Sequence, residues 1–164
     1  WNYRMPEFNA AIALAQLENA DKLHQLRIDS AAIFLEVISE ADFLIPQKTP
    51  EHYSHSFYTL GVLYKGEESI GVSWENFRKA YVEAGGDGIY GAWSIPYLEP
   101  VMSERRYIDH YPEIYRDIFY EEGLCPVAEN VQKELMQFKT NYREIDLAKS
   151  KAEILRKVIN KFKL

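Results

Sequence analysis

Apolar residues recur at spacings of three and four from Pro6 to Ser39, a period that predicts helix with a joint near Glu18 to Asp21. In the second of these helices Leu23, Leu26, Ala31, Phe34, Leu35 and Ile38 fall near one face. The first is unusual: Ala10, Ala11, Ala13 and Ala15 strip bulk from it, which suits close packing against another element. Pro46 and Pro50 forbid helix, so Ile45 to His52 reads as a connecting loop. The aromatic and β-branched run His55 to Tyr64 predicts a strand. Gly66 to Gly71 turns the chain, and Ser73 caps a helix to about Ala84, with Val72 placed as a hydrophobic staple. Gly85-Gly86 ends it.

Gly88 to Trp93 reads as a short strand or extended segment, and Pro96 to Pro100 as a rigid irregular one. Helical pieces follow at Tyr111 to Tyr120 and Pro126 to Gln137, then an extended Phe138-Lys139-Thr140 and a last helix from about Asp146 to Phe162. This order predicts a small α+β domain, a few antiparallel strands with helices packed on one face.

Composition narrows the function classes. A length of 164 residues suits one domain, and 47% apolar with 27% charged residues describes a folded globular chain. A net charge of −6 argues against a nucleic-acid surface. The basic residues of the last helix, Lys149 to Lys163, read as a solvated face. A single cysteine, Cys125, excludes an internal disulfide and fits a cytoplasmic location; its expected role is structural. No apolar run is long enough to span a membrane and no signal peptide is evident. The four histidines show no metal-ligand spacing. A glycine-rich phosphate loop and a nucleophile elbow are both missing.

The opening residues carry the candidate chemistry. Asn2 and Arg4 stand just ahead of the first helix, whose Pro6 and Glu7 suit a first turn. An amide, a guanidinium and helix N-terminal amides form one kind of anion site. The same two side chains would equally serve to tie down the chain end.

The run Asn2-Tyr3-Arg4-Met5-Pro6-Glu7, then Ala10-Ala11-Ile12 and Gln16-Leu17, resembles a signature of the DegT/DnrJ/EryC1/StrS family of nucleotide-sugar aminotransferases. The resemblance implies the fold-type I (aspartate aminotransferase-like) architecture of pyridoxal-phosphate enzymes. Residues 1–164 would then be the C-terminal small domain with its leading inter-domain helix, and the large cofactor-binding domain would lie upstream, outside this chain. The Schiff-base lysine of the family also lies upstream, so no lysine here is assigned as catalytic and the isolated chain is expected to be inactive. Asn2 corresponds to the residue that reaches the cofactor phosphate of the neighbouring subunit, with Arg4 as a second ligand or a brace; a homodimer is implied.

Gly88 to Pro100 resembles the stretch where the family's small domain approaches substrate. Tyr90, Trp93 and Tyr97 are the candidate substrate-binding residues, able to stack on a base or sugar face, although core or interface packing would use the same aromatics. Many family members have histidine where this chain has Tyr97. The implied substrates are a nucleotide-linked keto sugar and an amino donor, commonly glutamate, in routes such as those to lipopolysaccharide sugars. Two other readings fit the residues: a sugar dehydratase or regulatory homologue of the same fold, and a non-catalytic module that binds a protein through its aromatic surface.

Overall fold

The computed structural model describes residues 3–163. Helix α1 (Glu7–Leu17) and helix α2 (Ala20–Ile38) open the chain, meeting at Glu18 and Asn19. Strand β1 (Leu44–Pro46) and strand β2 (Leu60–Tyr64) follow, then the short helix α3 (Gly66–Ile70) and helix α4 (Trp74–Glu83). Strand β3 (Tyr90–Gly91), two short helices α5 (Pro100–Ser103) and α6 (Pro112–Tyr115), helix α7 (Pro126–Glu134), strand β4 (Leu135–Phe138) and helix α8 (Ile145–Phe162) complete it. The strands form a four-stranded antiparallel sheet in the order β1-β2-β4-β3, which makes the fold α+β as expected.

One face of the sheet is buried. Leu60, Val62 and Tyr64 of β2 and Met136 and Phe138 of β4 point the same way, as the period of two demands. Against them lie Phe34, Val37 and Ile38 of α2, Phe77 and Tyr81 of α4, and the stripe Ala148, Ala152, Leu155 and Ile159 of α8. Small residues at Ala31, Ala148 and Ala152 are fully buried and fit the close approach of α8 along α2. Phe34 ties the layers together, its ring 5.9 Å from Phe138 and 6.0 Å from Tyr142.

Four local readings change. Ile45-Pro46 belongs to an edge strand, not a loop; an edge position tolerates proline because the missing donor faces away from the ladder. The β2 strand starts at Leu60 instead of His55, because the Phe57 amide donates to His55 Nδ1 at 2.7 Å and Phe57 takes φ 47°. That local turn competes with the ladder. Helix α7 stops at Glu134, and Leu135 to Phe138 become the strand that pairs with both β2 and β3; two ladders override helical continuation. Within Tyr111 to Tyr120 only Pro112–Tyr115 is helical. There the packing is aromatic, with Tyr107 edge-on to Tyr115 and Tyr120, and Arg105 4.0 Å over the Phe119 ring.

Helix α1 buries none of its residues. Met5, Phe8, Ile12, Leu14 and Leu17 are all exposed, so the close packing that its alanines suit is not met inside the chain. Among the described residues no helix is long and apolar enough to cross a membrane.

Candidate functional site

Antiparallel pairing brings three chain segments to one end of the sheet. Leu60 at the start of β2 faces Phe138 at the end of β4, and Tyr90 of β3 faces Gln137. Between them opens a groove of about 790 Å³, lined in part by Arg27, Tyr58, Tyr90, Trp93, Gln137 and Lys139. Tyr58, Tyr90 and Trp93 are 79%, 66% and 83% exposed, so three aromatic side chains are offered to solvent at one place. Their backbone is fixed from behind: Gln137 Nε2 donates to the Gly91 carbonyl and Gln132 Nε2 to the Trp93 carbonyl, each at 2.9 Å.

The two cations of the groove are held by neutral partners. Arg27 Nη1 donates to the Tyr58 carbonyl at 3.0 Å and lies 3.3 Å from Thr140 Oγ1, with its guanidinium 5.7 Å from the centre of the Tyr58 ring. Lys139 Nζ sits 4.9 Å from the centre of the Tyr142 ring. Asp87, also on the groove, accepts the Tyr142 hydroxyl at 2.5 Å and lies 3.9 Å from Lys151 Nζ. Burial first, then the Asp87 carboxylate, raises the Tyr142 hydroxyl well above the usual phenol range, so it remains a donor.

Tyr97 stands apart from Tyr90 and Trp93. It is half-buried in the 3-10 turn Pro96–Leu98, and its hydroxyl donates to Glu129 Oε1 while accepting from the Cys125 amide at 3.1 Å. Glu129, buried in the first turns of α7, also accepts from the Gly123 amide at 2.9 Å. Burial and then the Glu129 carboxylate push the Tyr97 hydroxyl up to about 12; the hydroxyl in turn leads the causes that hold Glu129 below the usual carboxylate range. The arrangement locks the 96–98 turn to α7, leaving only the Tyr97 ring available to a ligand. Cys125 is exposed and serves this lock through its backbone.

Arg4 lies on the exposed approach to α1, where Pro6 supplies no side-chain cap to the first-turn amides. A guanidinium and helix N-terminal amides are both donors of a kind that suits a phosphate group. Asn2 lies outside the described residues. The lysine environments are of another kind: Lys65 pairs with Glu134 at 2.6 Å, Lys79 is exposed beside Glu83, and Lys151 donates to the Gly85 carbonyl at 2.6 Å. Among the described residues no cluster of histidine, cysteine and acidic side chains is arranged to hold a metal ion.

Sequence reasoning missed Arg27, Tyr58 and Lys139. For Arg27 a signal existed: it falls four residues after Leu23 and four before Ala31, a charged position on the apolar stripe of α2. Lys139 and Tyr58 had none, since only the antiparallel register brings their segments together.

Residues 1–141 match the DegT/DnrJ/EryC1/StrS aminotransferase family. No curated protein sequence matches the chain. Among solved structures, the aminotransferase from Psychrobacter cryohalolentis superposes with a TM-score of 0.78 at 19% identity, over 99% of this chain and 41% of that one. PseC of Helicobacter pylori, an aminotransferase involved in the biosynthesis of pseudoaminic acid, gives 0.67 at 15% identity, over 99% and 39%. The sugar aminotransferase CalS13 from Micromonospora echinospora gives 0.60 at 17% identity, over 96% and 37%. The chain therefore spans about two fifths of the length of these proteins, and at such identities the likeness concerns the fold.

Proposed function

Because the chain belongs to the DegT/DnrJ/EryC1/StrS aminotransferase family, we propose that it is the C-terminal part of a pyridoxal-phosphate-dependent sugar aminotransferase. The observation that carries this is the family match over residues 1–141, seated on a fold that covers about two fifths of solved aminotransferases. The parent enzyme transfers an amino group, from glutamate as the favoured donor, to a keto group of a nucleotide-linked sugar. When bound, pyridoxal phosphate supplies the electron sink for that exchange.

This chain's contribution is to bind and orient. Asn2 and Arg4 donate to the phosphate of the cofactor held by a second subunit; a neutral amide beside a guanidinium neutralises part of the charge and fixes its direction. Tyr90 and Trp93 offer ring faces to the base or sugar, and Tyr97 offers its ring from its own braced turn. The apolar surface of α1 is covered by the large domain and the second subunit of a homodimer, which would explain alanines on a helix that buries nothing in its own chain. No lysine of residues 1–164 carries the cofactor, and the isolated chain is inactive. A cytoplasmic setting suits an enzyme with a single exposed cysteine.

The complete protein, supplied with pyridoxal phosphate, glutamate and a nucleotide-linked keto sugar, is expected to form 2-oxoglutarate in step with amino sugar. Loss of water from the sugar without amino transfer would instead identify a dehydratase of the same fold. Asn2→Ala is expected to weaken cofactor retention by about 1–3 kcal/mol, the cost of an unpaired buried polar group. Unchanged retention in an equilibrium dialysis measurement would remove Asn2 from the phosphate site.

A further inference from the structure

We propose that Glu129 and Gln132 are positioning residues for substrate binding: from one face of α7 they hold the 93–97 segment, and so set where the Trp93 ring stands. The inference rests on the aminotransferase reading for the identity of the ligand that meets this ring.

The need for such a hold follows from packing. Among the described residues between Tyr90 and Leu135 none joins the hydrophobic core, and only Ile95 and Glu129 are buried. Apolar burial therefore does little to fix the path of the chain there, and directed polar bonds carry that task. The Trp93 ring is 83% exposed, so its place depends on the backbone that bears it.

α7 and β4 supply the bonds. Gln137 Nε2 of β4 donates to the Gly91 carbonyl and Gln132 Nε2 of α7 to the Trp93 carbonyl, each at 2.9 Å. Four residues beyond Trp93, the Tyr97 hydroxyl donates to Glu129 Oε1. Glu129 and Gln132 are three apart in α7, a spacing that puts them on one face of the helix. One helix thus grips the segment at both ends. Glu129 is itself fixed, because the Gly123 amide bonds both of its oxygens at 2.9 Å and the Cys125 amide reaches Oε1 at 3.4 Å. Bonds to an ionised carboxylate are stronger than those to a neutral acceptor. A ring held before the ligand arrives costs less to bind upon.

The test pairs kinetics of the complete protein with NMR of the chain. Glu129→Gln and Gln132→Met, which keep side-chain length, are expected to lower kcat/KM for the nucleotide sugar about tenfold and about threefold. These are the losses of a charge-assisted and of a neutral bond. For glutamate, which carries no base to meet the Trp93 ring, kcat/KM should change less than about twofold. Glu129→Asp keeps the charge on a shorter stem and is expected to fall between wild type and Glu129→Gln. In the chain, both variants should move the Trp93 indole signal, while the amides of β2 and β4 keep their protection from exchange. Glu129→Gln alone should also speed exchange of the Gly123 and Cys125 amides. An unmoved Trp93 signal in both variants, an equal loss for glutamate, or protection lost across the sheet would overturn the inference. A moved signal in a complete protein that transfers no amino group would keep the hold on Trp93 and remove the aminotransferase reading. Amino transfer with unchanged kcat/KM for the sugar in both variants would keep that reading and remove the positioning role.

Discussion

Glu129 shows how one buried side chain couples the loops of this domain. Its carboxylate gathers the Tyr97 hydroxyl and the amides of Gly123 and Cys125, and these bonds favour the charged form. A carboxyl whose pKa is lower folded than unfolded contributes stability above its ordinary pKa of about 4.3, and loses it as pH falls through the folded value. Glu129→Gln is therefore expected to flatten the drop in the urea midpoint between about pH 5 and pH 3; an unchanged slope would mean the network is not formed. Gly86 makes a second residue-scale case. A Cβ there would sit 2.5 Å from the Tyr81 ring, itself fully buried, so Gly86→Ala is expected to cost about 1–3 kcal/mol by overpacking. Leu155→Ala, which opens a cavity under the sheet, is expected to cost about 2–5 kcal/mol in the same denaturation assay. At this scale the sequence was legible where chemistry is local and silent where it is not. The aromatic content of 90–93 could be read directly; the pairing of Arg27 with Thr140, across 113 residues, could not.

At the level of elements, α2, α4 and α8 were found nearly to the residue, but of the face named in α2 only Ala31, Phe34 and Ile38 are buried, while Leu23, Leu26 and Leu35 stay partly exposed. Strands were harder, because β1 and β4 are short and take their identity from neighbours. Leu135 to Phe138 has the composition to continue a helix and becomes a strand only because β2 and β3 flank it. Helix α1 is the element to which the proposed function gives contacts outside this chain. With no buried residue, it adds little to the stability of the domain. Removal of residues 1–17 is expected to leave the thermal midpoint within about 4 °C, equivalent to less than about 1 kcal/mol, while the loss of helical signal matches α1 alone. A cooperative collapse on that deletion would mean that α1 holds the core.

The whole molecule is a sheet with one face sealed by α2, α4 and α8 and an aromatic, positively charged groove at its end. The family resemblance read from the opening residues agrees with the family match over residues 1–141, while identity to the solved structures is only 15–19%. The proposed function rests on a division of labour, in which residues 1–164 would bind and orient and another part of the same enzyme would do the covalent work. Borohydride reduction of the complete protein with pyridoxal phosphate, followed by peptide mapping, tests that division most directly. The account predicts one stoichiometrically modified lysine, outside residues 1–164. A stoichiometric adduct on Lys65, Lys139 or any other lysine of this chain would contradict it.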